Sequence, residues 1–110
     1  MIIRLSLILA TLILATSLLL AGEIFGTIRE NSKPVKKGIK VEITTAKKTD
    51  STETDNYGSY RLFVTEKGKC TLKIHFNKQT PTFEVYSYDK STRYDFIIEK
   101  KDTTYNLKRK

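Results

Sequence analysis

From residue 23 onward the chain alternates apolar and polar positions with a period of two, the signature of strands that bury one face. Ile39, Val41 and Ile43 share one parity, and Lys40, Glu42 and Thr44 the other. Tyr60, Leu62 and Val64 oppose Arg61, Phe63 and Thr65, while Cys70, Leu72, Ile74 and Phe76 oppose Thr71, Lys73 and His75. Seven strands are expected on this pattern, over 23–30, 39–45, 59–65, 70–76, 82–87, 93–99 and 104–109. Gly26, inside the first, signals a bulge or the close approach of another backbone. The polar segment 46–56 reads as a loop too hydrophilic to pack, and Glu66-Lys67-Gly68-Lys69 as a hairpin connection. No stretch of the region sustains a helical period. A sheet with one apolar face needs a second to cover it, so the expected fold is all-β, a seven-stranded antiparallel Greek-key sandwich.

The sharpest corner is Thr54-Asp55-Asn56-Tyr57-Gly58-Ser59-Tyr60. Asp55 and Asn56 can fold their side chains onto nearby backbone amides, and Gly58 can take a positive φ. The acidic groups here lack the alternate spacing and terminal Glu of a calcium loop, so a structural turn is the better account.

Residues 1–22 differ in kind. Arg4 is followed by an uncharged run from Leu5 to Gly22 that ends in small residues, which reads as a secretory signal peptide. The run is diluted by Thr11, Thr16 and Ser17 and sits at the short end of what spans a bilayer. Glu23 stands where a lipoprotein would carry its acylated cysteine, so no lipid anchor is expected. Cleavage near Ala21 or Gly22 leaves 88 residues, 23–110, enough for one small domain, secreted or periplasmic.

Charge and cysteine use narrow the picture a little. Loss of Arg4 with the signal lowers the formal balance from +8 to +7, which favours anionic surfaces without specifying one. Acidic residues are interspersed, and the basic residues cluster mainly at the end, in Lys108, Arg109 and Lys110; no specific nucleic-acid site is indicated. Cys70 is the only cysteine, so the domain must be stable without an internal disulfide.

Three passages together resemble the carboxypeptidase regulatory-like domain of the transthyretin-like (prealbumin-like) superfamily. They are Ile24-Phe25-Gly26-Thr27-Ile28, the run from Pro34-Val35 to Gly38-Ile39-Lys40-Val41, and the corner at 54–60. The resemblance covers 23–110 and implies a sandwich that serves as an accessory to another protein. An enzymatic relative in that superfamily hydrolyses 5-hydroxyisourate with several histidines and a Tyr-Arg-Gly-Ser ending. This chain has one histidine and ends in Tyr105-Asn106-Leu107-Lys108-Arg109-Lys110, which argues against that activity.

Other chemistry is sparse. His75 lacks the partners of a metal site, and Cys70 and His75 fall on opposite faces of one strand, which disfavours a nucleophile–base pair. Tyr86 and Tyr88 share the parity opposite Phe83 and Val85, which sets two rings on an outer face where they can stack on a partner. The expected function is an exported, non-catalytic module that takes no cofactor and binds or stabilises another envelope or extracellular protein. A carbohydrate- or small-ligand-binding module is the alternative. The binding surface is expected at Tyr86, Tyr88, Lys108, Arg109 and Lys110, with membrane contact only through the transient signal.

Overall fold

A computed structural model describes residues 22–110, so the expected signal peptide lies outside the described residues apart from Gly22. Ten strands run in the order β1 (Glu23–Glu30), β2 (Lys33–Pro34), β3 (Lys40–Thr44), β4 (Thr49–Glu53), β5 (Ser59–Phe63), β6 (Gly68–Ile74), β7 (Thr82–Ser87), β8 (Thr92–Arg93), β9 (Phe96–Lys101) and β10 (Thr104–Arg109). No helix occurs among the described residues. In the first sheet β1 is central: β10 and β9 lie to one side, β5 and β2 pair with it antiparallel, and β8 and β9 pair with it parallel. The second sheet runs β4-β3-β6-β7, all antiparallel.

The two sheets close on one core because each strand presents its apolar parity inward. Ile24 and Ile28 of β1, Val41 and Ile43 of β3, Leu72 and Ile74 of β6, Val85 of β7, and Phe96 and Ile98 of β9 are all essentially sealed from solvent. Each such side chain contributes roughly 1.5–3 kcal/mol by leaving water, before ordering costs are counted. Edge-to-face packing of Phe83 on Phe96, with ring centres 5.1 Å apart, links the β7 and β9 sides of the core.

Gly26 is where a second backbone comes closest. The Tyr94 N–H donates to the Phe25 carbonyl at 2.8 Å, and a Cβ on Gly26 would overlap the Tyr94 carbonyl oxygen. The close approach expected at this glycine is thus present, and it lies where β8 gives way to β9.

The all-β sandwich matches the expectation from patterning, but several details are corrected. The sandwich has ten strands rather than seven, and β1 is parallel to β8 and β9. Segment 46–56 is not all loop: Thr49–Glu53 forms β4, an edge strand paired with β3. An edge strand needs only one ladder of backbone bonds, and its Thr and Ser side chains tolerate extended backbone while staying wet. The Thr44 and Thr49 hydroxyls add a cross-strand bond of 3.0 Å. The link 66–69 is not a hairpin, because β5 belongs to the first sheet and β6 to the second. Parity states that both strands face one core, and two strands do so equally well from one sheet or from opposite sheets. The expected strand 93–99 is split by Tyr94 and Asp95 into β8 and β9.

Candidate functional site

Along β7 the inward positions Phe83, Val85 and Ser87 alternate with the outward Glu84 and Tyr86, and Tyr88 continues the outward parity just past the strand. Tyr86 and Tyr88 are 42% and 53% exposed, among the largest apolar surfaces the domain shows to water. Their rings lie nearly parallel, with centres 6.4 Å apart and planes 23° apart. Lys69, cross-strand from Tyr86 on β6, places its Nζ 3.1 Å from Glu84 Oε2, and the Tyr86 hydroxyl donates to Glu84 Oε1 at 3.1 Å. The bonds from Lys69 and then Tyr86 hold the Glu84 carboxyl below its ordinary value, while that carboxylate raises the Tyr86 phenol. Lys67 pairs with Asp89 at the far side of the ledge. The result is an aromatic ledge with a charged rim of both signs.

Tyr94, between β8 and β9, anchors this ledge. Its ring lies parallel to Phe96, 8° between planes, and the Arg109 guanidinium sits 4.3 Å from its centre. Its hydroxyl accepts the Tyr86 backbone N–H at 3.0 Å. That N–H belongs to the outer edge of β7, so the hydroxyl occupies a position where another strand would otherwise bond. A sequence offers no local signal for this, since Tyr94 and Tyr86 meet only when the two sheets are stacked.

The basic end does not form one patch. Lys108 faces outward within 3.8 Å of Glu99, whereas Arg109 folds back over Tyr94 and donates to the Arg93 carbonyl at 3.3 Å. Lys110 is tied by its backbone N–H to the Asp95 carbonyl at 2.9 Å. Arg109 is therefore the residue that joins the basic end to the aromatic ledge, through Tyr94.

Beside the ledge a hollow of ≈ 580 Å³ is lined by Lys67, Gly68, Ser87, Tyr88, Lys90 and Thr92. Ser87 is 1% exposed, and its Oγ has no hydrogen-bond partner among the described residues. The hydroxyl is an unmet donor on the inward side of β7. Patterning reads Ser87 only as the end of a strand.

The corner at 54–60 is structural. Asp55 Oδ1 accepts from the N–H groups of Tyr57 and Ser59, both at 2.9 Å, while Asn56 is exposed at the tip. Gly58 has φ +71°, and a Cβ there would come 2.6 Å from the Ile28 carbonyl oxygen, which gives its sequence identity a double reason. Thr54, buried behind the corner, bonds the Ile39 N–H and the Lys36 carbonyl and so fastens the β2–β3 loop.

Cys70 and His75 lie on opposite faces of the second sheet. Cys70 is buried, which pushes its thiol pKa up, away from the reactive thiolate. His75 Nε2 is 2.7 Å from Glu42 Oε1 on the outer face. Among the described residues no group of three or more His, Cys, Asp and Glu is placed to hold a metal.

No family model and no curated protein matches the chain. Solved structures that share its fold include these two. One is the Bacillus anthracis TIE protein, with TM-score 0.60 and 12% identity over 79% of this chain and 16% of that one. The other is a "putative carbohydrate binding protein" from Bacteroides uniformis, with TM-score 0.51 and 17% identity over 79% of this chain and 52% of that one. The chain thus spans about half or less of either structure, and what it shares with them is a β-sandwich architecture.

Proposed function

We propose that this domain is an exported, non-catalytic binding module that docks another envelope or extracellular protein through the Tyr86–Tyr88 ledge. The observation that carries the reading is the pair of half-exposed, near-parallel rings on an edge strand whose core needs are met by Phe83 and Val85. Rigid tyrosines offer a large contact area at low entropic cost and are enriched at protein interfaces. The charged rim of Lys67, Lys69, Glu84 and Asp89 supplies orientation. Because the Tyr94 hydroxyl already takes the Tyr86 N–H, the partner meets side chains here rather than adding a strand. The resemblance to the carboxypeptidase regulatory-like domain, an accessory by habit, supports the same reading.

A second reading is favoured by one observation: the Tyr86 hydroxyl and the Glu84 carboxylate sit together beside exposed rings, a combination that suits sugar hydroxyls over an apolar ring face. The similarity to a structure named for carbohydrate binding points the same way. Both readings are tested by immobilising residues 22–110 and the Tyr86→Ala/Tyr88→Ala variant. Each is exposed to the extracellular and envelope fraction of the producing cells and, in parallel, to a glycan array. Recovery of one protein by the wild type and not by the double variant is expected. Ring-dependent glycan binding without a protein would establish the second reading, and capture that is equal for both forms would remove the ledge from function.

A further inference from the structure

The outer face of the first sheet carries a second constellation, independent of the ledge. Strand register sets Arg61 of β5 and Arg93 of β8 on either side of Phe25 of β1, three residues abreast on neighbouring strands. The Arg61 guanidinium carbon is 6.0 Å from the centre of the Phe25 ring. In the adjoining row Ser59 stands opposite Thr27, and Asp95 Oδ1 accepts from the Thr27 N–H at 2.9 Å and from its hydroxyl at 3.1 Å. These rows floor a hollow of ≈ 370 Å³ that Thr52 and Glu53 of β4 wall on one side. That volume falls within the ~300–1,000 Å³ typical of small-ligand sites.

The donor arrangement is what makes the hollow selective. Arg93 is held by its Nε against both Asp95 oxygens, at 3.1 and 2.9 Å, so its outer Nη groups remain unengaged by the described residues. Arg61 meets Glu23 only at 3.7 Å, beyond hydrogen-bond length, and keeps its donors. Two guanidinium groups therefore flank one half-buried aromatic ring. Phe25 contributes nothing to the core on the opposite face, where Ile24 and Ile28 pack.

We infer that this hollow binds a saccharide bearing a carboxylate, a uronic acid unit of an acidic glycan. A planar guanidinium fork matches a carboxylate in geometry and charge. The apolar face of a sugar ring suits the Phe25 floor, and sugar hydroxyls find partners in Thr27, Ser59, Thr52 and Glu53. A densely charged ligand such as a polyphosphate or an acidic peptide fits worse, because Glu53 and Asp55 line the same hollow and Asp95 already pairs with Arg93.

The test is titration of isotope-labelled domain with a tetramer of galacturonic acid and, separately, with its methyl ester, followed by amide shifts and calorimetry. Saturable binding is expected, with shifts at Phe25, Thr27, Ser59 and Arg61. Arg61→Gln, at an exposed position, should weaken it at least about tenfold with an unchanged melting temperature, which corresponds to one charge-assisted bond. The methyl ester should lose a similar factor. Two further variants are controls: Tyr86→Ala/Tyr88→Ala should bind as wild type, and so should Lys108→Gln/Lys110→Gln, which lowers charge elsewhere. The inference is overturned by absence of saturable binding, by equal affinity for acid and ester, or by wild-type affinity in Arg61→Gln. Shifts confined to the ledge would also overturn it, while leaving the ledge's own role standing.

Discussion

Asp95 shows how one side chain carries several structural demands. Partial burial acts to raise its carboxyl pKa, but the Thr27 N–H, the Thr27 hydroxyl and the Arg93 guanidinium together outweigh that and hold it below its ordinary value. Because the folded-state value lies below the unfolded one, the carboxylate adds stability that is complete above the unfolded value of about 3.9. That stability is lost as pH falls through the folded value. Asp95→Ala should cost about 1–3 kcal/mol at pH 7 by leaving the Thr27 N–H without its acceptor. In urea titrations repeated at falling pH, the gap between variant and wild type should narrow below about pH 4. A gap that stays constant to pH 2 would mean the charged form carries no advantage.

At the scale of elements, β7 is an edge strand carrying exposed tyrosines, a combination that invites pairing with another chain. The Tyr94 hydroxyl on the Tyr86 N–H, braced by Arg109 across the ring, is the device that blunts it. Tyr94→Phe keeps the ring and its stacking on Phe96 but removes the hydroxyl. It should cost on the order of 1 kcal/mol and raise the tendency to self-associate, seen as a concentration-dependent sedimentation coefficient. If the variant stays monomeric at every concentration at which wild type does, the hydroxyl is not what guards the edge. Parity placed Tyr86 and Tyr88 outside correctly, because alternation on a strand is a local property. The tie between the ledge and Arg109 was not legible, because it runs through Tyr94 from the opposite sheet.

For the molecule as a whole, the described residues open on a bond that extends the β1–β5 pairing: the Val64 N–H donates to the Gly22 carbonyl at 2.7 Å. Signal cleavage after Gly22 would strip that acceptor from a buried strand end, whereas cleavage before it would not. N-terminal sequencing of protein recovered from the producing cells is therefore expected to start at Gly22, one residue before the Glu23 start that the leader pattern by itself suggests. A start at Glu23 would show that the Gly22 bond is dispensable. The same long-range logic governs the acidic-sugar hollow: Phe25, Arg61 and Arg93 are far apart in the chain and become neighbours only through the register of β5 and β8 on β1.

The amino-acid sequence by itself determined the fold class, the inward set of residues on β3, β5, β6 and β7, the turn at Asp55 and Gly58, and the special role of Gly26. Each of these depends on alternation or on the conformational range of one residue, and both are readable over a few positions. The tertiary structure alone decided which strands share a sheet, that β1 pairs parallel with β8 and β9, and that Thr49–Glu53 is an edge strand. It also decided that Arg109 lies over the Tyr94 ring while Lys108 reaches toward Glu99, and that an arginine stands on each side of Phe25. Those features arise from register and layer stacking, where distant segments compete for the same backbone partners, and no local pattern encodes the winner.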